Sequence, residues 1–196
     1  MNDMPEGTPG WYGKIASLGD FASRRLAPEF ISRWDGWLQQ VMSASRGHLG
    51  EAERQARASV AMFPDDPWIV LALANTLQIR GLAVLRPLAP DEGLAAAQEA
   101  DRLFARAYEI SPNQPLLLRN WAQLRFNEGD FWGAFRLIDR MEEVIPDEVE
   151  PYSERIEFLK RINELDGIRR TLARAESRLD PAKMAELHTV AGLQQK

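Results

Sequence analysis

The sequence predicts an all-α solenoid of stacked helical hairpins, preceded by a short N-terminal segment that holds a strand or hairpin. Two observations carry this. Proline-bearing breaks follow amphipathic stretches at Phe63-Pro64-Asp65-Asp66-Pro67, Ile110-Ser111-Pro112-Asn113-Gln114-Pro115 and Ile145-Pro146-Asp147-Glu148. Proline removes a backbone donor and restricts its predecessor, so each break ends the helix before it. The second observation is a period: Pro112 and Pro146 stand 34 residues apart, within the range of helical-hairpin repeats. Beyond residue 28 no apolar–polar alternation suggests a strand.

Taken in order, Trp11 to Ser17 is a candidate strand and Leu18-Gly19-Asp20 the turn after it. Pro28 opens an amphipathic helix with Phe30, Ile31, Trp34, Trp37, Leu38, Val41 and Met42 on one stripe. Its partner runs from Gly50 to Phe63 through Ala52, Ala56 and Val60. The next hairpin takes Leu73, Ala74, Leu77 and Gly81 for its first helix, and Ala100, Phe104 and Ala107 for its second. Gly81 and Ala100 stand 19 residues apart, 14 more than Gly129 and Ala134 in the following unit. The first helix is therefore expected to run on to Arg86 and the second to start at Pro90, with Asp91 and Glu92 at its positive end. A hairpin lengthened in this way projects past the stack, either as a contact surface or as a plain variation in length. Trp121, Ala122, Gly129, Ala134, Ile138 and Met141 form the third unit. The small residues Ala74, Ala100, Ala122 and Ala134 permit close helix approach, and Gly81 and Gly129 suit left-handed turns within their hairpins. Val149 to Ile162 and Glu164 to Leu179 make a further pair. Pro181 starts a last helix through Met184, Leu187, Val190 and Ala191 that caps the stack.

With this period and these positions, residues 67–146 resemble the tetratricopeptide repeat family. The head carries a second resemblance. Gly10-Trp11-Tyr12-Gly13-Lys14, Gly19-Asp20-Phe21, Arg24-Arg25-Leu26 and Phe30-Ile31-x-x-Trp34-Asp35-x-Trp37-Leu38 are similar, in that order, to the opening of the TagF (ImpM) family, over residues 10–49. Gly13, Lys14, Gly19, Asp20, Phe21, Arg24, Arg25 and Trp34 are the residues of this head motif. The resemblance implies an accessory protein of bacterial type VI secretion, of a kind that represses the apparatus after translation through a forkhead-associated component. The Trp34 to Val41 stripe also fits the first helix of a repeat, with Gly50–Phe63 as its partner. The two readings are compatible, and the Trp34 helix is expected to dock as the first of the solenoid with the Trp11 strand against it. The domains expected are 1–27, a TagF-like and partly irregular segment, and 28–196, the repeat domain with its capping helix.

Composition narrows the chemistry. A net charge of −5 is the wrong sign for a phosphate backbone or an anionic membrane surface. No uncharged apolar run nears the ~18 residues of a membrane span. Met1 to Pro9 has neither a basic nor an apolar leader, and cysteine is absent, which fits a cytoplasmic location. Gly13-Lys14 fails as a phosphate loop, because Thr8 stands where glycine is needed and Ile15 where Ser or Thr is needed. His48 and His188 each stand alone, without the paired histidine of a zinc site. Asp65-Asp66 and Glu142-Glu143 read as helix-end and solvated pairs, and no Gly-x-Ser-x-Gly elbow is present. Arg24, Arg25 and Arg33 stand near Trp11, Phe21 and Trp34, and are expected to pair locally with Asp20, Glu29 and Asp35 rather than with nucleic acid. No catalytic residue, metal or cofactor is expected.

The tetratricopeptide resemblance implies that a protein or peptide binds the concave face, lined by the first helix of each hairpin. Those positions are Trp68, Leu71, Asn75, Gln78 and Ile79, then Leu116, Arg119, Gln123, Phe126 and Asn127, then Glu157, Lys160 and Arg161. Asn75, Arg119, Asn120 and Asn127 resemble the residues with which some repeats clamp a peptide carboxylate, although the paired lysines of that clamp are missing. A mixed groove for an extended or helical peptide is the resulting expectation. For Leu71, Ile79 and Phe126, packing against a neighbouring helix is an equal alternative. Two functions fit: a scaffold or regulator binding a type VI secretion component, and a general peptide-binding adaptor or co-chaperone.

Overall fold

The structure is a computed structural model that describes residues 11–15, 20–24 and 48–192. The head holds an antiparallel ribbon, β1 (Trp11–Ile15) and β2 (Asp20–Arg24), in the register Trp11↔Arg24 to Ile15↔Asp20. The expected strand thus has a partner, and the segment is a hairpin. Gly13 and Lys14 lie in β1, and Asp20, Phe21 and Arg24 in β2. Gly19, Arg25 and Trp34 lie outside the described residues, as does the docking of the Trp34 helix.

Among the described residues the rest of the chain is helical. α1 is Leu49–Met62, and α2 runs Pro67–Leu88 as an α-helix to Arg80, a π segment Gly81–Leu85 and a final turn Arg86–Leu88. α3 (Pro90–Ile110) pairs with α2, and α4 (Pro115–Asn127) with α5 (Phe131–Val144). α6 (Val149–Arg161) and α7 (Leu165–Ala175) form the next hairpin, and α8 (Pro181–Ala191) packs on α6. α2, α3, α4 and α8 open on a proline, where its missing N–H costs nothing. The Asp66 carboxylate accepts from the N–H of Trp68 and Ile69, so Pro64-Asp65-Asp66-Pro67 both ends α1 and caps α2.

The small residues sit where helices cross. Ala52, Ala56, Ala74, Ala100, Ala107, Ala122 and Ala134 have no exposed surface. Three apolar clusters follow one another along the stack: Leu73, Leu77 and Phe104 with their neighbours, then Phe126, Ile138 and Phe158, then Tyr152, Ile156 and Leu187. Each hairpin buries its apolar face on the next, which is how a solenoid builds a continuous core.

Three expectations need correction. Gly81 does not make a left-handed turn; its φ is −59° and it lies inside α2. The insertion moves the turn to Ala89, and Gly81 instead permits close packing, since a Cβ there would stand 3.2 Å from Ala96 Cβ and from the Gly93 carbonyl oxygen. Gly129, with φ +85°, does make the left-handed turn. The second correction is that α7 stops at Ala175, although Leu179 is still buried beyond it. Lastly, an 18-residue window within the 22 residues of α2 has mean hydropathy 1.6, apolar enough by length and composition alone to cross a membrane. Its Ile69, Val70, Leu71, Leu73 and Leu77 are buried in the stack, as in a core helix that is apolar all round.

Candidate partner-binding groove

The first helices α2, α4 and α6 lie side by side and are cross-linked by a ladder of polar side chains. On α4, residues 119, 120, 123 and 127 share one stripe, and on α6 residues 150, 154, 157 and 161 share the stripe that faces it. Asn120 Nδ2 donates to Asn75 Oδ1 at 3.0 Å, joining α4 to α2. Arg119 Nη1 donates to Glu150 Oε1 at 2.6 Å, and its Nε stands 4.0 Å from Glu154. Gln123 Nε2 donates to Glu154 at 3.2 Å, and Arg161 Nη2 donates to Asn127 Oδ1 at 2.8 Å. Asn75, Arg119, Gln123, Asn127 and Arg161 therefore all lie on the ladder, and each already has a partner within the chain.

Glu150 and Glu154 are the members that sequence reasoning missed. They lie on the stripe that carries Glu157 and Arg161, so extending that stripe towards the helix start would have found them. Burial pushes the Glu154 carboxyl above its ordinary range, and Glu150 and Glu157 reinforce the shift against the pull of Gln123 and Arg119.

The remaining predicted residues separate by exposure. Trp68 and Ile79 are exposed. Leu71, Gln78 and Phe126 are buried and so are not presented to a partner, which corrects the expectation for these three. Phe126 stacks on Phe158 at 4.3 Å between ring centroids, with the Arg161 guanidinium 4.5 Å over its ring. For Leu71 and Phe126 the packing alternative holds. Lys160 donates to Glu157 and, at 2.5 Å, to the Val190 carbonyl oxygen. It thereby secures the C-terminal turn of α8, where a cation suits the helix dipole.

This arrangement does not make a carboxylate clamp. Arg119 already faces two carboxylates, and Asn75 and Asn120 are engaged with each other. What the ladder offers is a row of amides and neutralised charges, suited to exchanging hydrogen bonds with a peptide backbone or polar side chains. Among the described residues no group of three or more His, Asp or Glu side chains gathers to hold a metal.

Residues 10–69 match the TagF N-terminal domain family, described as type VI secretion system-associated. The head of this chain resembles the TagF N-terminal domain. The TagF-like match covers about a third of the chain and extends twenty residues past the 10–49 stretch legible in the sequence, taking in all of α1 and the first residues of α2. Among solved structures, the chain is similar to the MamA RS-1 ArsTM double mutant, with 14% identity over 81% of this chain and 82% of that one and a TM-score of 0.54. It is also similar to MamA MSR-1 C2, with 13% identity over 84% and 81% of the two chains and a TM-score of 0.53. A thermophilic tetratricopeptide protein of Thermus thermophilus matches at 15% identity over 83% of this chain and 100% of that one, with a TM-score of 0.44. No curated protein matches the sequence. The fold is an all-α, tetratricopeptide-like solenoid behind a TagF-like head.

Proposed function

We propose that the chain is a non-enzymatic scaffold or regulator associated with bacterial type VI secretion, working in the cytoplasm, and that it binds a partner peptide or helix along the α2–α4–α6 ladder. The observation that carries the reading is the match of residues 10–69 to a type VI secretion-associated family, joined without a break to a tetratricopeptide-like stack. The rungs at Asn75, Arg119, Gln123, Asn127 and Arg161 support the choice of surface. A partner exchanges their internal hydrogen bonds for its own instead of filling an empty clamp. The domains follow as a TagF-like segment over 1–27 and a repeat domain over 28–196 that shares α1 with the family match.

The test uses the full chain as bait in a type VI secretion-competent bacterium, with quantitative mass spectrometry of what co-purifies. Enrichment of a component of the apparatus is the expected result, and enrichment of none of them sinks the reading. A general peptide-binding adaptor remains as second reading, because every rung residue lies outside residues 10–69. It predicts partners unrelated to secretion and no effect of substitutions at Asp20 and Phe21.

A further inference from the structure

Between α3, α4 and α5 lies an open cleft of about 570 Å³. Tyr108, Trp121 and Leu137 supply its apolar walls, and Arg125, Arg136 and Arg140 its cations. The Tyr108 and Trp121 rings are tilted against each other at 5.8 Å. The cleft shares no residue with the ladder.

The charges around it are nearly all matched inside the chain. Arg125 holds Asp101 at 2.6 Å and Asp130 at 2.9 Å. Arg140 holds Glu143 at 2.6 Å and Asn113 at 2.7 Å, and Asp139 is taken by Arg155. Both carboxylates that line the cleft are thus engaged. Arg136 differs: among the described residues no carboxylate lies within ion-pair reach of it, and its guanidinium carbon stands 5.1 Å over the ring of Trp132. Stacking uses the face of a guanidinium and leaves its in-plane N–H groups for an acceptor. Arg140 is one turn along the same stripe, with its own charge already matched by Glu143. Trp132 itself is 69% exposed. Trp132 reaches the cleft through its contact with Arg136, and these two exposed side chains, next to the half-buried Tyr108 of the wall, have the composition of a binding hot spot.

We propose that this cleft is a second docking site, which takes a glutamate or aspartate side chain from an acidic segment of a protein partner. The Arg136 fork receives the carboxylate, a charge-assisted and geometrically matched pair. An apolar neighbour of that acidic residue covers Trp132 and the Tyr108–Trp121 wall. A free inorganic anion satisfies Arg136 but leaves Trp132 and the apolar wall uncovered, which is why the occupant is a peptide segment.

The experiment is amide, arginine-Nε and indole NMR of the full chain. It is titrated with a short peptide alternating glutamate and leucine, with the same peptide carrying glutamine for glutamate, and with inorganic phosphate. The acidic peptide is expected to shift the Trp132 indole and Arg136 Nε signals. Arg136→Gln and Trp132→Ala, both surface changes that leave the thermal midpoint in place, are each expected to weaken its binding about tenfold. Absence of shifts at millimolar acidic peptide overturns the proposal. So does equal binding of the glutamine peptide, or Arg136→Gln binding like wild type. Phosphate that reproduces the same shifts means an adventitious ion only, and also overturns it.

Discussion

Asp130 and Glu154 are carboxylates pushed in opposite directions by their surroundings, and that makes the single-residue account testable by pH. Asp130 caps α5, accepting from the Gly133 N–H at 2.9 Å, and is ion-paired to Arg125. The backbone donor first, and Arg125 second, hold its carboxyl below the usual range. A depressed pKa contributes stability that is present above the unfolded value of about 3.9 and lost as pH falls through the folded value. Asp130→Ala should therefore cost about 1 kcal/mol at neutral pH, and the deficit should close in acid unfolding. Glu154 has the reverse sign. Its raised pKa means that the folded state binds the proton more tightly, so its contribution falls as pH rises from the unfolded value of about 4.3 through the folded one. Thermal unfolding of Glu154→Gln should show no loss at pH 7 and a flatter pH dependence above pH 4.3 than wild type. A clear drop in midpoint at pH 7 would contradict the burial argument, because Gln123 keeps an oxygen to donate to in the variant.

At the scale of elements, the lengthened α2–α3 hairpin depends on one very close approach. A Cβ on Gly93 would stand 2.7 Å from the Arg86 backbone nitrogen and 2.8 Å from its Cα, and neither can move without bending α2. Gly93→Ala is expected to cost about 1–3 kcal/mol in chemical denaturation. At Gly129 open space surrounds the Cβ position but φ is +85°, so Gly129→Ala should cost about 1–2 kcal/mol from backbone strain alone. Ala in place of Gly93 without measurable loss would mean that the two helices part more easily than their spacing implies. The same elements show what could be read in advance. Pro90 with Asp91 and Glu92 marked the start of α3, and Pro67, Pro115 and Pro181 marked three other starts, because proline and acidic caps act within a few residues. The role of Gly81 was not legible, since it depends on Ala96 and Gly93 across the hairpin. The ladder was half legible for that reason. The tetratricopeptide resemblance pointed to Arg119, Gln123 and Asn127 on α4, whereas their commitment to Glu150, Glu154 and Arg161 is set by the stacking of the next hairpin.

For the whole molecule, α1 decides how the parts relate. It lies within the family match at residues 10–69 and also packs on α2, where the buried Glu53 is ion-paired with both Arg57 and Arg80. Arg57 in turn holds Glu99 on α3, which keeps the Glu99 carboxyl below its usual range. The α1 part of the TagF-like match is thus built into the solenoid core. Asn75→Ala combined with Arg119→Ala, on the full chain, tests the groove most directly, and the identity of what co-purifies with wild type separates the account from its rival. Co-purification from a type VI secretion-competent bacterium should recover a component of the apparatus with wild-type chain and lose most of it with the double variant, whose helical circular dichroism shows that it still folds. Recovery of the same component undiminished by the double variant would contradict the groove as the binding surface, and recovery of no component with wild type would contradict the account as a whole.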